Sequence, residues 1–84
     1  MNREEISAIL QQFIKTEILA GGKQIEENAS LRQAGVDSFS IIEIILFIEN
    51  RFNVLIPDEK LLPENFETLQ QLSAVVHNLM QANP

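Results

Sequence analysis

The run from Ile41 to Ile48, in which Glu43 is the only polar residue, constrains the fold more than any other feature of the sequence. Asp37 precedes this run and is a favoured N-cap residue, because its carboxylate can accept hydrogen bonds from the free N–H groups of a first helical turn. We therefore predict a helix over residues 38–51 or 38–52. The apolar run is shorter than the ~20 residues that cross a bilayer, so the helix should pack against other helices.

This helix is apolar on two faces. Two sets of residues recur at helical spacing on different sides of it, namely Ile44, Ile48 and Phe52 on one face and Phe39, Ile42 and Leu46 on the other. We expect the first set, widened by Ile41 and Ile45, to face the core. Since one helix of a small bundle cannot bury both faces within a monomer, the second set should be partly exposed. An exposed apolar patch beside acidic residues is typical of a protein-binding surface.

Helix-capping patterns predict two more long helices. Asn2 with Glu5 three residues later has the form of a capping box and predicts a helix over about 3–19, which Gly21-Gly22 should end. Thr68 with Gln71 has the same form and predicts a helix over about 68–81.

The segments between these helices are less regular. Over residues 23–36 we expect a long ordered loop with four apolar anchors, Ile25, Ala29, Leu31 and Val36. Prolines at 57 and 63 allow only a short helical turn around residues 58–62. The predicted fold class is all-α, a small four-helix bundle with three main helices and one short one.

Size and charge narrow the classes of function. A chain of 84 residues without cysteine predicts a single domain over residues 1–84 that has no disulfide and no thiol of its own. The net charge of −6 disfavours nucleic acid and anionic membranes as partners. The N-terminal sequence lacks the pattern of a signal peptide, so we expect a cytoplasmic location. His77 is the only histidine, and we expect neither a catalytic residue nor a bound metal.

The pentapeptide Gly35-Val36-Asp37-Ser38-Phe39 gives the most specific indication of function. Together with Ile56-Pro57-Asp58 and Thr68 at matching distances, it resembles the signature of the acyl carrier and peptidyl carrier proteins over nearly the whole chain. The resemblance implies the carrier-protein fold and a 4'-phosphopantetheine, transferred from coenzyme A and covalently bound to Ser38, whose thiol holds acyl groups as thioesters. It implies a non-enzymatic monomer that presents acyl or aminoacyl intermediates to the enzymes of fatty acid, polyketide or nonribosomal peptide-type biosynthesis.

The same resemblance implies which surfaces meet the partners. Asp37 would help to dock the phosphopantetheinyl transferase. The recognition surface for loading ligases and for acyltransferase or synthase enzymes would consist of Phe39, Ile42, Glu43, Leu46, Glu49, Asp58 and Glu59. Ser40, Asn50 and Arg51 stand where carriers of fatty acid synthesis tend to have acids, and Phe47 is bulkier than usual there. These departures favour a discrete carrier of a specialised pathway, charged with an amino acid, a hydroxy acid or a polyketide unit.

Two alternatives remain open on the sequence. An unmodified helical module could use Phe39, Ile42, Leu46 and Phe47 to dimerise or to bind a partner helix, since the same exposed patch would serve. A carrier-like relic, no longer recognised by its modifying enzyme, is the other. The intact Asp37-Ser38-Phe39 sequence argues against the relic.

Overall fold

All regular structure in the described part of the chain is helical. The computed structural model describes residues 1–20, 22 and 24–82. Its α-helices are α1 (Arg3–Phe13), α2 (Leu31–Ala34), α3 (Ser38–Phe52) and α4 (Leu69–Ala82). A π-helical segment, Ile14–Ile18, continues α1, and two 3₁₀ turns, Asp58–Lys60 and Pro63–Phe66, connect α3 to α4. The predicted all-α four-helix fold is confirmed. The expected short helical turn around 58–62 is the 3₁₀ turn Asp58–Lys60, and the short α-helix α2 was not predicted.

The start of α1 is fixed by the predicted capping box. Asn2 Oδ1 accepts a hydrogen bond from the Glu5 N–H at 2.8 Å, and Glu5 Oε1 accepts one from the Asn2 N–H at 3.0 Å. The helical segment ends close to the expected position, since its π-helical part reaches Ile18 and Ala20 then adopts a left-handed conformation with φ 51°. Gly21 lies outside the described residues.

The expected long loop before α3 contains α2, which the sequence did not predict. Its start is capped by Ser30, whose Oγ accepts a hydrogen bond from the Gln33 N–H at 3.2 Å. A helix of four residues is too short to show a hydrophobic period, which explains the miss. Three of the four predicted anchors, Ile25, Leu31 and Val36, are buried, and Ala29 packs against the core. Residue 23 of this loop lies outside the described part.

The two long helices that follow begin close to their predicted positions. α3 spans Ser38–Phe52, and Asn53 leaves it in the left-handed conformation with φ 55°. Thr68 Oγ1 accepts a hydrogen bond from the Gln71 N–H at 3.1 Å, so α4 starts one residue later than expected, at Leu69. The second 3₁₀ turn, Pro63–Phe66, was not predicted.

The core is formed mainly by buried aliphatic side chains from α1, α3 and α4. Its fully buried members are Ile6, Leu10, Ile14, Leu31, Ile44, Ile48, Leu69, Leu72 and Val76. Backbone hydrogen bonds tie the start of α2 and the segment before it to the region where α4 begins. The Leu31 N–H donates to the Glu67 carbonyl at 2.9 Å, and the Gln70 N–H donates to the Glu27 carbonyl at 3.1 Å. Across residues 1–20, 22 and 24–82, no helix has both the length and the apolar character needed to span a membrane.

Candidate functional site

A tight turn from Gly35 to Asp37 connects the end of α2 to the start of α3. The Gly35 N–H donates to the Arg32 carbonyl at 3.1 Å, and the Val36 N–H donates to the Leu31 carbonyl at 2.9 Å. Gly35 has φ 116°, which residues with a side chain rarely adopt. Val36 is buried at 4% exposure. The turn is thus fixed from both sides, by the end of α2 and by the core.

Asp37 caps α3 as predicted. Its Oδ1 accepts a hydrogen bond from the Ser40 N–H at 2.8 Å. The pKa of the Asp37 carboxyl group is lowered, mainly because the Ser40 N–H donates to it, with a smaller effect in the same direction from the Ser40 side chain. The carboxylate therefore stays ionised at neutral pH.

Ser38 is the first residue of α3, and its side chain is exposed. The first turn of the helix contains no acidic residue. Free N–H groups and the positive end of the helix dipole make such a position favourable for a negatively charged group. The hydroxyl is therefore accessible for modification, and the local field suits a phosphodiester.

The two predicted faces of α3 are confirmed. Ile44, Ile48 and Phe52 are buried, whereas Phe39, Ile42 and Leu46 are 73%, 57% and 61% exposed. Glu43 is exposed beside this second set. We call Phe39, Ile42, Glu43 and Leu46 the exposed face of α3. It begins one residue after Ser38.

The other acidic residues of the predicted recognition surface lie in different settings. Asp58 and Glu59 are exposed on the first 3₁₀ turn. Glu49 is only half-exposed, and its Oε2 accepts a hydrogen bond from the Ile56 N–H at 3.1 Å. Glu49 therefore holds the chain where it returns after α3, a structural role that the sequence did not reveal.

Phe47 does not belong to the exposed face. Its ring stacks on Phe13 of α1, with centroids 4.0 Å apart and an interplanar angle of 11°, and meets the ring of Phe52 edge-on at 6.4 Å. The expected patch of Phe39, Ile42, Leu46 and Phe47 is therefore wrong in its last member. Phe47 joins α3 to α1.

Three leucines are exposed that the sequence did not indicate as surface residues. Leu55, Leu61 and Leu62, between α3 and α4, are 79%, 40% and 44% exposed. The proline-broken sequence in which they lie has no helical period, so pattern analysis could not assign them to a face. They add apolar surface to the connection that carries Asp58 and Glu59.

His77 lies half-buried on α4, with its Nε2 3.4 Å from the Gln81 Nε2. Within residues 1–20, 22 and 24–82, no group of three or more histidine or acidic side chains is placed to hold a metal ion.

Two relatives are similar over most of the sequence. The chain is 32% identical over 72 residues to an acyl carrier protein of Guillardia theta, covering 84% of this chain and 86% of the relative. It is 25% identical over 79 residues to aminoacyl carrier protein 1 of Bradyrhizobium diazoefficiens, covering 94% of this chain and 86% of the relative.

Solved structures share the fold. An acyl carrier protein from Thermotoga maritima superposes with a TM-score of 0.82 at 19% identity, covering 100% of this chain and 96% of the other. A second match comes from the structure of Bradyrhizobium japonicum glycine:[carrier protein] ligase complexed with glycylated carrier protein, with a TM-score of 0.71, 23% identity, and coverage of 87% and 96%.

The family comparison settles what kind of protein this is. The model described as "Phosphopantetheine attachment site" matches residues 4–76, from the first turn of α1 into α4. The chain therefore belongs to the acyl carrier and peptidyl carrier protein family, whose members carry a covalently attached 4'-phosphopantetheine.

Proposed function

We propose that this protein is a non-enzymatic carrier that holds an acyl or aminoacyl group on 4'-phosphopantetheine bound to Ser38, and presents it to partner enzymes. The observation that carries the proposal is the placement of Ser38, exposed at the start of α3 directly after the Asp37 cap. The pentapeptide signature has its serine at this position.

The residues around Ser38 fit the prosthetic group. The first turn of α3 presents backbone N–H groups and no acidic side chain to a phosphodiester. The nearby carboxylate, that of Asp37, is held by the Ser40 N–H at 2.8 Å. When bound, phosphopantetheine supplies the thiol that this cysteine-free chain lacks.

Ser38 is an attachment point in this proposal. Its Oγ forms a bond to phosphorus while the pyrophosphate bond of coenzyme A breaks and adenosine 3',5'-bisphosphate leaves. The hydroxyl proton passes to a base of the phosphopantetheinyl transferase. The carrier contributes an exposed hydroxyl on a rigid helix start, and the transferase contributes the activation.

The exposed face of α3 is the proposed docking surface. Phe39, Ile42 and Leu46 contribute little to the core, and they lie on the helix that Ser38 begins. Glu43, Asp58 and Glu59 add negative charge, so the partner surfaces should be basic around an apolar centre. Glu49 is left out of this surface because its carboxylate is bonded to the chain itself.

One relative and one structural neighbour favour an amino acid as the cargo. One relative is named an aminoacyl carrier protein, and one structural neighbour is a carrier protein in complex with a glycine:[carrier protein] ligase. We propose an aminoacyl group, loaded by a ligase of this kind. The non-acidic Asn50 and Arg51 at the end of α3 agree with a role outside fatty acid synthesis.

The test is intact-protein mass spectrometry after incubation with coenzyme A and a broad-specificity phosphopantetheinyl transferase. Wild type should gain one phosphopantetheine, and Ser38→Ala should gain none, with Ser40→Ala as the matched serine control. Modification of Ser38→Ala would refute the assignment of the site.

The modified protein then distinguishes the cargo. It is offered amino acids with an aminoacyl ligase, or fatty acids with an acyl ligase, and the loaded mass is measured. Loading with a fatty acid alone would overturn the aminoacyl proposal. No gain of phosphopantetheine in folded wild type would instead favour an unmodified docking module that uses the exposed face of α3.

A further inference from the structure

The π-helical end of α1 determines where Leu19 lies. The Leu19 N–H donates to the Ile14 carbonyl at 2.9 Å, five residues back, in place of the four-residue step of an α-helix. The wider turn brings the Leu19 N–H, rather than that of Ile18, to the carbonyl of buried Ile14. Such π turns often occur at functional sites, yet nothing described so far uses this one.

Two glycines make room for Leu19. A Cβ atom built on Gly35 would lie 3.2 Å from Leu19 Cδ2, and one built on Gly22 would lie 3.1 Å from the Leu19 carbonyl oxygen and 3.2 Å from its Cβ. Contacts this short are tighter than ordinary van der Waals contact, so a side chain at either position would require Leu19 to shift by a few tenths of an ångström. The Leu19 side chain therefore packs directly against the backbone of Gly35.

Gly35 stands three residues before Ser38, and the residues between them have little freedom. Val36 is buried, and Asp37 is bonded to the Ser40 N–H. A shift of the Gly35 backbone would thus be transmitted to the start of α3. The Leu19 side chain adds a packing contact to this turn beside its backbone hydrogen bonds.

From this packing we infer that Leu19 is a positioning residue for the attachment site, holding the Gly35 turn so that Ser38 is presented in one orientation to the modifying enzyme. The inference rests on the proposed modification of Ser38. Leu19 does not belong to the exposed face of α3, so it should affect the rate of transfer and leave docking unchanged.

The experiment measures kcat and KM of a phosphopantetheinyl transferase for this protein as the acceptor, at a temperature well below unfolding. Leu19→Ala should lower kcat by about tenfold with KM unchanged, since a small misplacement of a reacting group has effects of this size. Leu79→Ala is the matched control, because Leu79 is also half-buried against the core but lies on α4. Leu19→Met should restore most of the rate.

A second readout is independent of transfer. Hydrogen exchange at the Ser40 and Val36 amides should be faster in Leu19→Ala than in Leu79→Ala. Equal kcat and equal exchange in the two variants, or a change in KM alone, would overturn the inference. If Leu19→Ala does not fold, Leu19→Val takes its place with a smaller expected effect.

Failure of the proposed function would look different. In that case wild type itself would not be modified, and the amide-exchange comparison would still decide whether Leu19 holds the turn.

Discussion

The side-chain amide of Gln11 makes two hydrogen bonds with the backbone of Ile25. Its Nε2 donates to the Ile25 carbonyl at 2.6 Å, and its Oε1 accepts from the Ile25 N–H at 2.7 Å. Ile25 is only 4% exposed, so α1 supplies both partners for a buried stretch of loop backbone. A single side chain thereby replaces the hydrogen bonds that regular structure would give this residue.

Gln11→Ala should therefore destabilise the protein by about 1 to 3 kcal/mol, because a buried donor and a buried acceptor lose their partners. Urea unfolding followed by circular dichroism measures the loss. Gln12→Ala is the control, since Gln12 is the exposed neighbour and should change stability by less than about 0.5 kcal/mol. Equal effects of the two substitutions would mean that the two hydrogen bonds do not stabilise the loop.

The Asp37 cap should stabilise the fold in a pH-dependent way. The pKa of its carboxyl group is lowered in the folded protein, so the stabilisation is present above the pKa of the unfolded chain and is lost as the pH falls through the lowered value. Asp37→Ala should reduce the melting temperature at neutral pH, and this difference should shrink in acid. Asp37→Asn, which keeps a cap acceptor without the charge, should show a smaller loss with less pH dependence. A difference between Asp37→Ala and wild type that persists in strong acid would contradict the prediction.

The two faces of α3 should respond differently to truncation. Leu46→Ala should change the free energy of unfolding by less than about 0.5 kcal/mol, because Leu46 is 61% exposed. Ile48→Ala, two residues further on and fully buried, should cost about 2 to 5 kcal/mol. Chemical unfolding measures the free energy of unfolding of both variants. Titration calorimetry with a loading ligase should show weaker binding for Leu46→Ala than for wild type. Unchanged binding would place the docking surface elsewhere.

The stacked rings of Phe13 and Phe47 should stabilise the contact between α1 and α3. A double-mutant cycle with Phe13→Leu and Phe47→Leu should give a coupling energy of about 0.5 to 1.5 kcal/mol, as found for aromatic pairs. Phe47→Leu should not weaken partner binding, because the ring faces α1. Additive losses in the cycle would show that the stacking contributes nothing beyond burial.

Local signals made most helix boundaries predictable. The caps at Asn2, Asp37 and Thr68 involve partners three residues away, so the sequence alone indicates them. The two faces of α3 follow from a period of 3.6 residues. The Asp37 cap also placed the pentapeptide that contains Ser38 at a helix start.

What the sequence did not reveal depends on contacts between distant segments. The Ile56 N–H donates a hydrogen bond to the Glu49 carboxylate across the turn after α3. The ring of Phe47 stacks on the ring of Phe13, which lies on another helix. Neither pairing has a sequence spacing that pattern analysis tests. The π turn that continues α1 was not predicted either, because its residues have the same apolar period as an ordinary helical turn.

The hydrogen bonds between Leu31 and Glu67 and between Gln70 and Glu27 join parts of the chain separated by about half its length. Closing such a loop costs entropy before any contact forms, and a four-residue helix does not persist alone. We therefore expect α2 and the loop segment before it to become ordered late in folding, together with α4. We expect partial unfolding of α4 to release the segment that leads into Ser38 and to leave the Asp37 cap in place, because that cap is a local contact with Ser40.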